Sequence, residues 1–250
     1  MSWGTKRRNA ILSLFFFGLL ILIGTYLFIF LNKEPTCFDG KKNGDEAGID
    51  CGGSCALKCE GEIIDVVIHW NRYFEIVPGV YNALAYIENL NADSGVLNAK
   101  YLFTLYDEKN FVLDRRYGQI KIRPKEIIPI FEPGLDTGKL IPARSTFEFT
   151  EKLIWQKTEP NDRYLQINNQ RFFEVDGLPR ISADITNTSI FRSKDIKIVV
   201  IIYDEQGNAI TTSSTIVDTL EKDQTRQIIY TWPQQFSRPM SRFEIIPLYD

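Results

Sequence analysis

Between Cys37 and Cys59 the chain reads CFDGKKNGDEAGIDCGGSCALKC and holds all four cysteines of the protein, with thirteen, three and three residues between them. Four clustered thiols support two chemistries: a pair of disulfides, or a structural zinc site. The gaps of three and thirteen fit the paired C-x2-C spacing of zinc knuckles poorly, so Cys37, Cys51, Cys55 and Cys59 are expected to form two disulfides, with three connectivities open. The segment has few apolar residues and needs cross-links to hold a shape. It also carries Asp39, Asn43, Asp45, Glu46 and Asp50 among five glycines. Oxygen ligands on a chain that can take positive φ suit a hard cation, so Ca²⁺ is the candidate cofactor. Lys41 occupies a position where an EF-hand needs oxygen, and a solvated disulfide loop with glycine turns is the alternative.

What positions this segment lies just before it. Ala10–Leu31 is an uncharged run of 22 residues preceded by Lys6, Arg7 and Arg8. As a helix it rises about 33 Å, enough to cross a hydrocarbon core of about 30 Å. The basic flank is retained in the cytoplasm, whereas Lys33 and Glu34 on the far side balance. The run is longer than a signal-peptide core and ends without a small-residue cleavage site, so an uncleaved anchor is expected. The sequence thus predicts a cytoplasmic tail (1–9), a transmembrane anchor (10–31), a cysteine-rich neck (32–60) and an extracytoplasmic remainder. Everything beyond the cytoplasmic tail, neck included, holds 26 basic against 32 acidic side chains. It has no basic field to attract nucleic acid.

From Glu60 onward, runs rich in Val, Ile, Tyr and Phe alternate with turn residues, the pattern of a β-protein. The segment also repeats. Arg72-Tyr73-Phe74-Glu75 returns as Arg171-Phe172-Phe173-Glu174, Tyr86-Ile87-Glu88-Asn89 as Asp184-Ile185-Thr186-Asn187, and Tyr101–Glu108 as Ile198–Glu205, at offsets of 97 to 99 residues. In the second copy Lys197, Val199 and Ile201 alternate with Ile198, Val200 and Ile202, so that strand is expected to be buried on both faces. Beyond this block, Thr146–Phe149 and Trp155 align with Thr225–Tyr230 and Trp232 at an offset of only 77 to 79. The first copy is therefore expected to carry about 20 extra residues near 118–142. Their prolines confine them to an edge or a loop. Ile128, Ile130, Phe131, Glu132 and Asp136 are the candidate partner-binding residues there, unless they cap the first core or pack on the second copy.

Two resemblances follow from these residues. The cysteine segment resembles a motif of exported bacterial proteins, C-x-D-G-x-x-N-G-x-E-x-G-x-D-C-G-G-x-C, which implies an extracytoplasmic setting and no particular activity. Phe103-Thr104-Leu105-Tyr106-Asp107, and more loosely Ile201-Ile202-Tyr203-Asp204, resemble the FxLYD-type immunoglobulin-like domains of exported bacterial proteins. That resemblance implies β-sandwiches of about seven strands without catalytic residues. The fold class is accordingly mainly β: two tandem immunoglobulin-like sandwiches (61–168 and 169–250) behind the anchor and neck. The motif aspartates should cap the turn after the strand.

Enzymatic signals are weak. His69 is the single histidine, at a strand end. No nucleophile elbow, phosphate loop or metalloprotease helix occurs, Ser213 and Ser214 read as an exposed strand, and no small-molecule substrate is evident. Asn187-Thr188-Ser189 forms a glycosylation sequon. The expected function is a non-catalytic single-pass envelope protein that binds another envelope protein or spaces a structure. A bitopic subunit of a secretion or pilus-assembly machine is the alternative, and an enzyme with an inter-domain site ranks last.

Overall fold

A computed structural model describes residues 3–31, 37–159 and 164–248. The chain divides into two compact units, Met1–Ala56 and Leu57–Asp250. In the first, α1 spans Trp3–Leu31, and its window Ile11–Phe28 has a mean hydropathy of 2.4 with no residue buried by protein. A helix apolar on all sides and covered by nothing is suited to lipid. The Thr25 hydroxyl donates to the carbonyls of Ile21 and Leu22, both at 2.9 Å, leaving no free polar group on that side chain. The proposed far flank, Lys33 and Glu34, lies outside the described residues.

The second unit is built of antiparallel strands, as the alternation from Glu60 onward predicts. They are β1 (Val67–Val77), β2 (Val80–Asn89), β3 (Ser94–Tyr106), β4 (Val112–Ile122), β5 (Glu126–Asp136), β6 (Arg144–Phe149), β7 (Trp155–Lys157), β8 (Leu165–Val175), β9 (Leu178–Asn187), β10 (Ser193–Tyr203), β11 (Ala209–Leu220), β12 (Thr225–Thr231) and β13 (Arg242–Pro247). Four sheets result, in the orders β1-β2-β5, β4-β3-β6 with β7 also on β3, β8-β9-β12, and β11-β10-β13.

The repeat extends further than the sequence suggests. The strand starts Val67 and Leu165, Val80 and Leu178, and Arg144 and Arg242 are each 98 residues apart. β5 pairs with β2 as β12 pairs with β9: Glu88 faces Ile127, and Thr186 faces Thr225. The expected insertion near 118–142 is therefore corrected. Those residues complete β4, form β5 and turn into β6, and each strand has its counterpart in the second copy. Pro129 and Pro133 are tolerated in β5 because it is an edge strand, with a ladder on one side only. At Gly118 any side chain would strike the Tyr101 ring, whose atoms lie 2.3 Å from an added Cβ. Glycine there lets that ring lie flat across β4.

Each copy encloses an apolar cluster between its two sheets. In the first, Ala83, Ala85 and Ile87 of β2 meet Tyr101, Phe103 and Leu105 of β3, Ile128 and Ile130 of β5, and Trp155 of β7. In the second, Ile181, Ala183 and Ile185 of β9 meet Ile198, Val200 and Ile202 of β10 and Ile228 and Tyr230 of β12. The opposite face of β10 joins the first copy's cluster through Val199, Ile201 and Tyr203. The two-sided burial expected of β10 thus has a specific cause: one side faces its own core and the other packs on the first copy.

Candidate functional site

In the neck, Cys37 is joined to Cys55, and Cys51 and Cys59 are also disulfide-bonded. No described cysteine is free, so one of the three connectivities remains. Cys37, Glu46 and Cys55 bring their ligand atoms within 4.8 Å of one another. Both sulfurs are spent in the disulfide, which removes the thiolates zinc would need.

The candidate calcium residues serve the loop itself. Asp50 Oδ1 accepts from the backbone N–H of Asp39 at 3.0 Å, and its Oδ2 from that of Gly40 at 3.0 Å. Asp39 accepts from Lys41 N at 2.9 Å and from Asn43 Nδ2 at 2.8 Å. Glu46 accepts from Asn43 N at 3.1 Å, and Asp45 from the Ser54 hydroxyl at 2.7 Å. Among the described residues only Asn43 Oδ1 in this set is buried without a hydrogen-bond partner.

Most of the candidate partner-binding residues are not at the surface. Ile128 and Ile130 are each 1% exposed inside the first core, and Phe131 is 2% exposed against the second copy. Lys197 donates to the Phe131 carbonyl at 2.8 Å. Glu132 accepts from the Tyr101 hydroxyl at 2.6 Å, and Asp136 accepts from Gly138 N at 2.8 Å to close the β5–β6 turn. The expectation of a binding loop is corrected for Ile128, Ile130 and Phe131. Strand alternation and the packing of the second copy bury them.

The most elaborate arrangement is the junction between the copies, which the sequence reading did not identify. Trp70 stacks on Tyr86 with centroids 5.3 Å apart. The Tyr86 and Tyr203 hydroxyls donate to the same Glu244 carboxylate oxygen at 3.3 and 3.1 Å, and Arg242 pairs with the other oxygen. Arg72 donates to the Ala209 carbonyl and to Asn208 Oδ1, both at 3.2 Å, and Asn82 Nδ2 donates to the Thr212 carbonyl at 3.3 Å. Burial, then the Glu244 charge, pushes the Tyr86 phenol up to about 12 and raises Tyr203 in the same way. Burial pulls the Lys197 amine down, and the Glu132 charge opposes it.

Two devices recur in both copies. Asn89 and Asn187 are fully buried. Asn89 Nδ2 donates to the carbonyls of Ser94 and Arg123 at 2.8 and 2.7 Å, and Asn187 Nδ2 to those of Phe191 and Leu220 at 2.8 and 2.9 Å. Each side-chain oxygen accepts a backbone N–H two residues on, from Asn91 or Ser189, at 3.0 Å. Asn187 is thus a structural clamp, and its amide is inaccessible to a glycosylating enzyme in the folded state. The motif aspartates do cap their turns. Asp107 Oδ1 accepts from Lys109 N and Phe111 N, and Asp204 Oδ1 from Gln206 N and Asn208 N.

His69 is held by Glu88 at 2.8 Å beside Tyr86. Ser213 and Ser214 lie mid-strand in β11 opposite Val200 and Val199. No protein-family model matches the chain, and no curated protein matches it.

Proposed function

We propose that this chain is a non-catalytic, single-pass protein of a bacterial cell envelope. Its N-terminus is cytoplasmic, and its two immunoglobulin-like domains are displayed outside the membrane to bind another protein or to space a structure. The observation that carries this reading is the bonded pair Cys37 and Cys55 following an uncovered apolar helix. Disulfides persist in oxidising, exported compartments. Lys6, Arg7 and Arg8 before the helix favour retention of that end in the cytoplasm.

The immunoglobulin-like reading draws support from the connectivity. In each copy the first, second and fifth strands share one sheet, and the third, fourth and sixth share the other. The chain therefore crosses repeatedly between sheets, as in that class of sandwich. A non-catalytic role fits the employment of the carboxylates: they cap turns, pair with arginines or accept from tyrosines.

Protease added to intact spheroplasts tests the topology. Digestion of the part after residue 57, with an N-terminal fragment that keeps α1, is expected. Full protection of that part, or a mature protein lacking α1, would overturn the proposal.

A further inference from the structure

We propose that the open cleft of about 760 Å³ between the two copies binds a ligand bearing carboxylate or phosphate groups. Three arginines from three separate elements line it: Arg72 on β1, Arg144 at the start of β6, and Arg238 in the connection between β12 and β13. The protein as a whole carries a net charge of −3, so three cations around one cleft run against its average.

Each guanidinium is fixed in place while keeping donors to spare. Arg144 lies over the Tyr106 ring at 3.8 Å and gives its Nε–H to Asn110 Oδ1 at 3.0 Å. A guanidinium has five N–H groups, so both Nη atoms of Arg144 retain theirs for a ligand. Arg238 is held through Nη1 by Asp204 at 2.9 Å, and Arg72 by the Ala209 carbonyl and Asn208. The one carboxylate in the lining, Glu75, acts on the Tyr81 hydroxyl, whose pKa burial raises first and Glu75 raises further. Planar, pre-positioned forks of this kind match carboxylate and phosphate oxygens in pairs. The inference goes beyond the display role and does not rest on it, because anchor topology and cleft chemistry fail separately.

Citrate and tripolyphosphate are the probes, titrated by calorimetry at low salt into the full chain in non-ionic detergent. One saturable site is expected for at least one of them, weakening as salt is raised. Arg144→Gln should weaken it about tenfold or more, and Arg144→Lys by less, since the charge survives without the fork. Arg226→Gln, on exposed β12, should leave binding unchanged. Preference for citrate would identify a carboxylate ligand, and preference for tripolyphosphate a phosphate one. A melting temperature of Arg144→Gln equal to the parent's shows that the variant is folded. Should that variant be unstable, Arg144→Lys decides instead: parental affinity for it counts against the fork. No saturable binding of either anion, undiminished binding by folded Arg144→Gln, or equal weakening by Arg226→Gln would overturn the proposal.

Discussion

At corresponding positions of β2 and β9 the first copy has Leu84 and Tyr86, and the second has Ser182 and Asp184. Phe131 of β5, 2% exposed, corresponds to Ile229 of β12, 48% exposed. On the opposing face the difference is one of side chain alone: Val199 and Ile201 of β10 stand where β3 has Leu102, 9% exposed, and Thr104, 2% exposed. Strand positions are shared, yet β2 and β5 bury at the junction a face that β9 and β12 leave polar or exposed. Stacked repeats require polar outer faces on their terminal units. Here both units are terminal, and the stacking surface is used once.

That asymmetry can be broken by substitution. Leu84→Ala is expected to cost about 2–5 kcal/mol, the range for emptying a buried leucine site. Ser182→Ala, at the matching position, should stay within about 1 kcal/mol. Urea denaturation of the detergent-solubilised protein measures both, and equal costs would mean that the junction is no more tightly packed than the outer face.

Sharing can be tested against difference. Asn89→Ala and Asn187→Ala each leave two carbonyls and one N–H without the amide that satisfied them. Each should cost about 2–3 kcal/mol, similarly in the two copies. A large effect in one copy alone would show that the clamp is not an equivalent device.

Smaller effects come from titration. Tyr86 ionises near 12 in the folded chain against 10.0 as its ordinary value. The folded state therefore holds a proton that the unfolded state releases, so stability falls as pH rises through that interval. Tyr86→Phe should flatten this alkaline loss in a pH series of melting temperatures. Asp204 is the acid-side counterpart. Burial raises it, but hydrogen bonds from Asn208, Arg238 and Gln206 hold it below its ordinary 3.8. Its contribution is complete above 3.8 and is lost as pH falls through the lower folded value, and Asp204→Asn should remove that acid-side dependence. An unchanged acid limb in Asp204→Asn would show that the carboxylate adds no linkage.

Much of this was legible in residues. Alternation of Ile198, Val200 and Ile202 with Val199 and Ile201 identified a strand buried on both faces, and Asp107 and Asp204 identified capped turns. The prolines confined this segment to an edge or a loop, and β5, which holds Pro129 and Pro133, is an edge strand; the insertion came from the alignment of the two copies instead. Sequence matching joined Thr225–Tyr230 to Thr146–Phe149 instead of to β5. The junction was missed for a related reason. Its signal, Leu84 against Ser182 and Tyr86 against Asp184, becomes visible only once the repeat is held at one offset throughout. In the neck, the cysteines announced their disulfides, whereas the backbone partners of the acidic residues leave no trace in sequence.

Hydrogen exchange of β3 and β9 under increasing urea tests most directly whether the two copies are one body joined across a buried face. The expected result is a common opening free energy and urea dependence for both strands in the parent, lowered together by Leu84→Ala. Independent opening of β3 and β9 in the parent would contradict it.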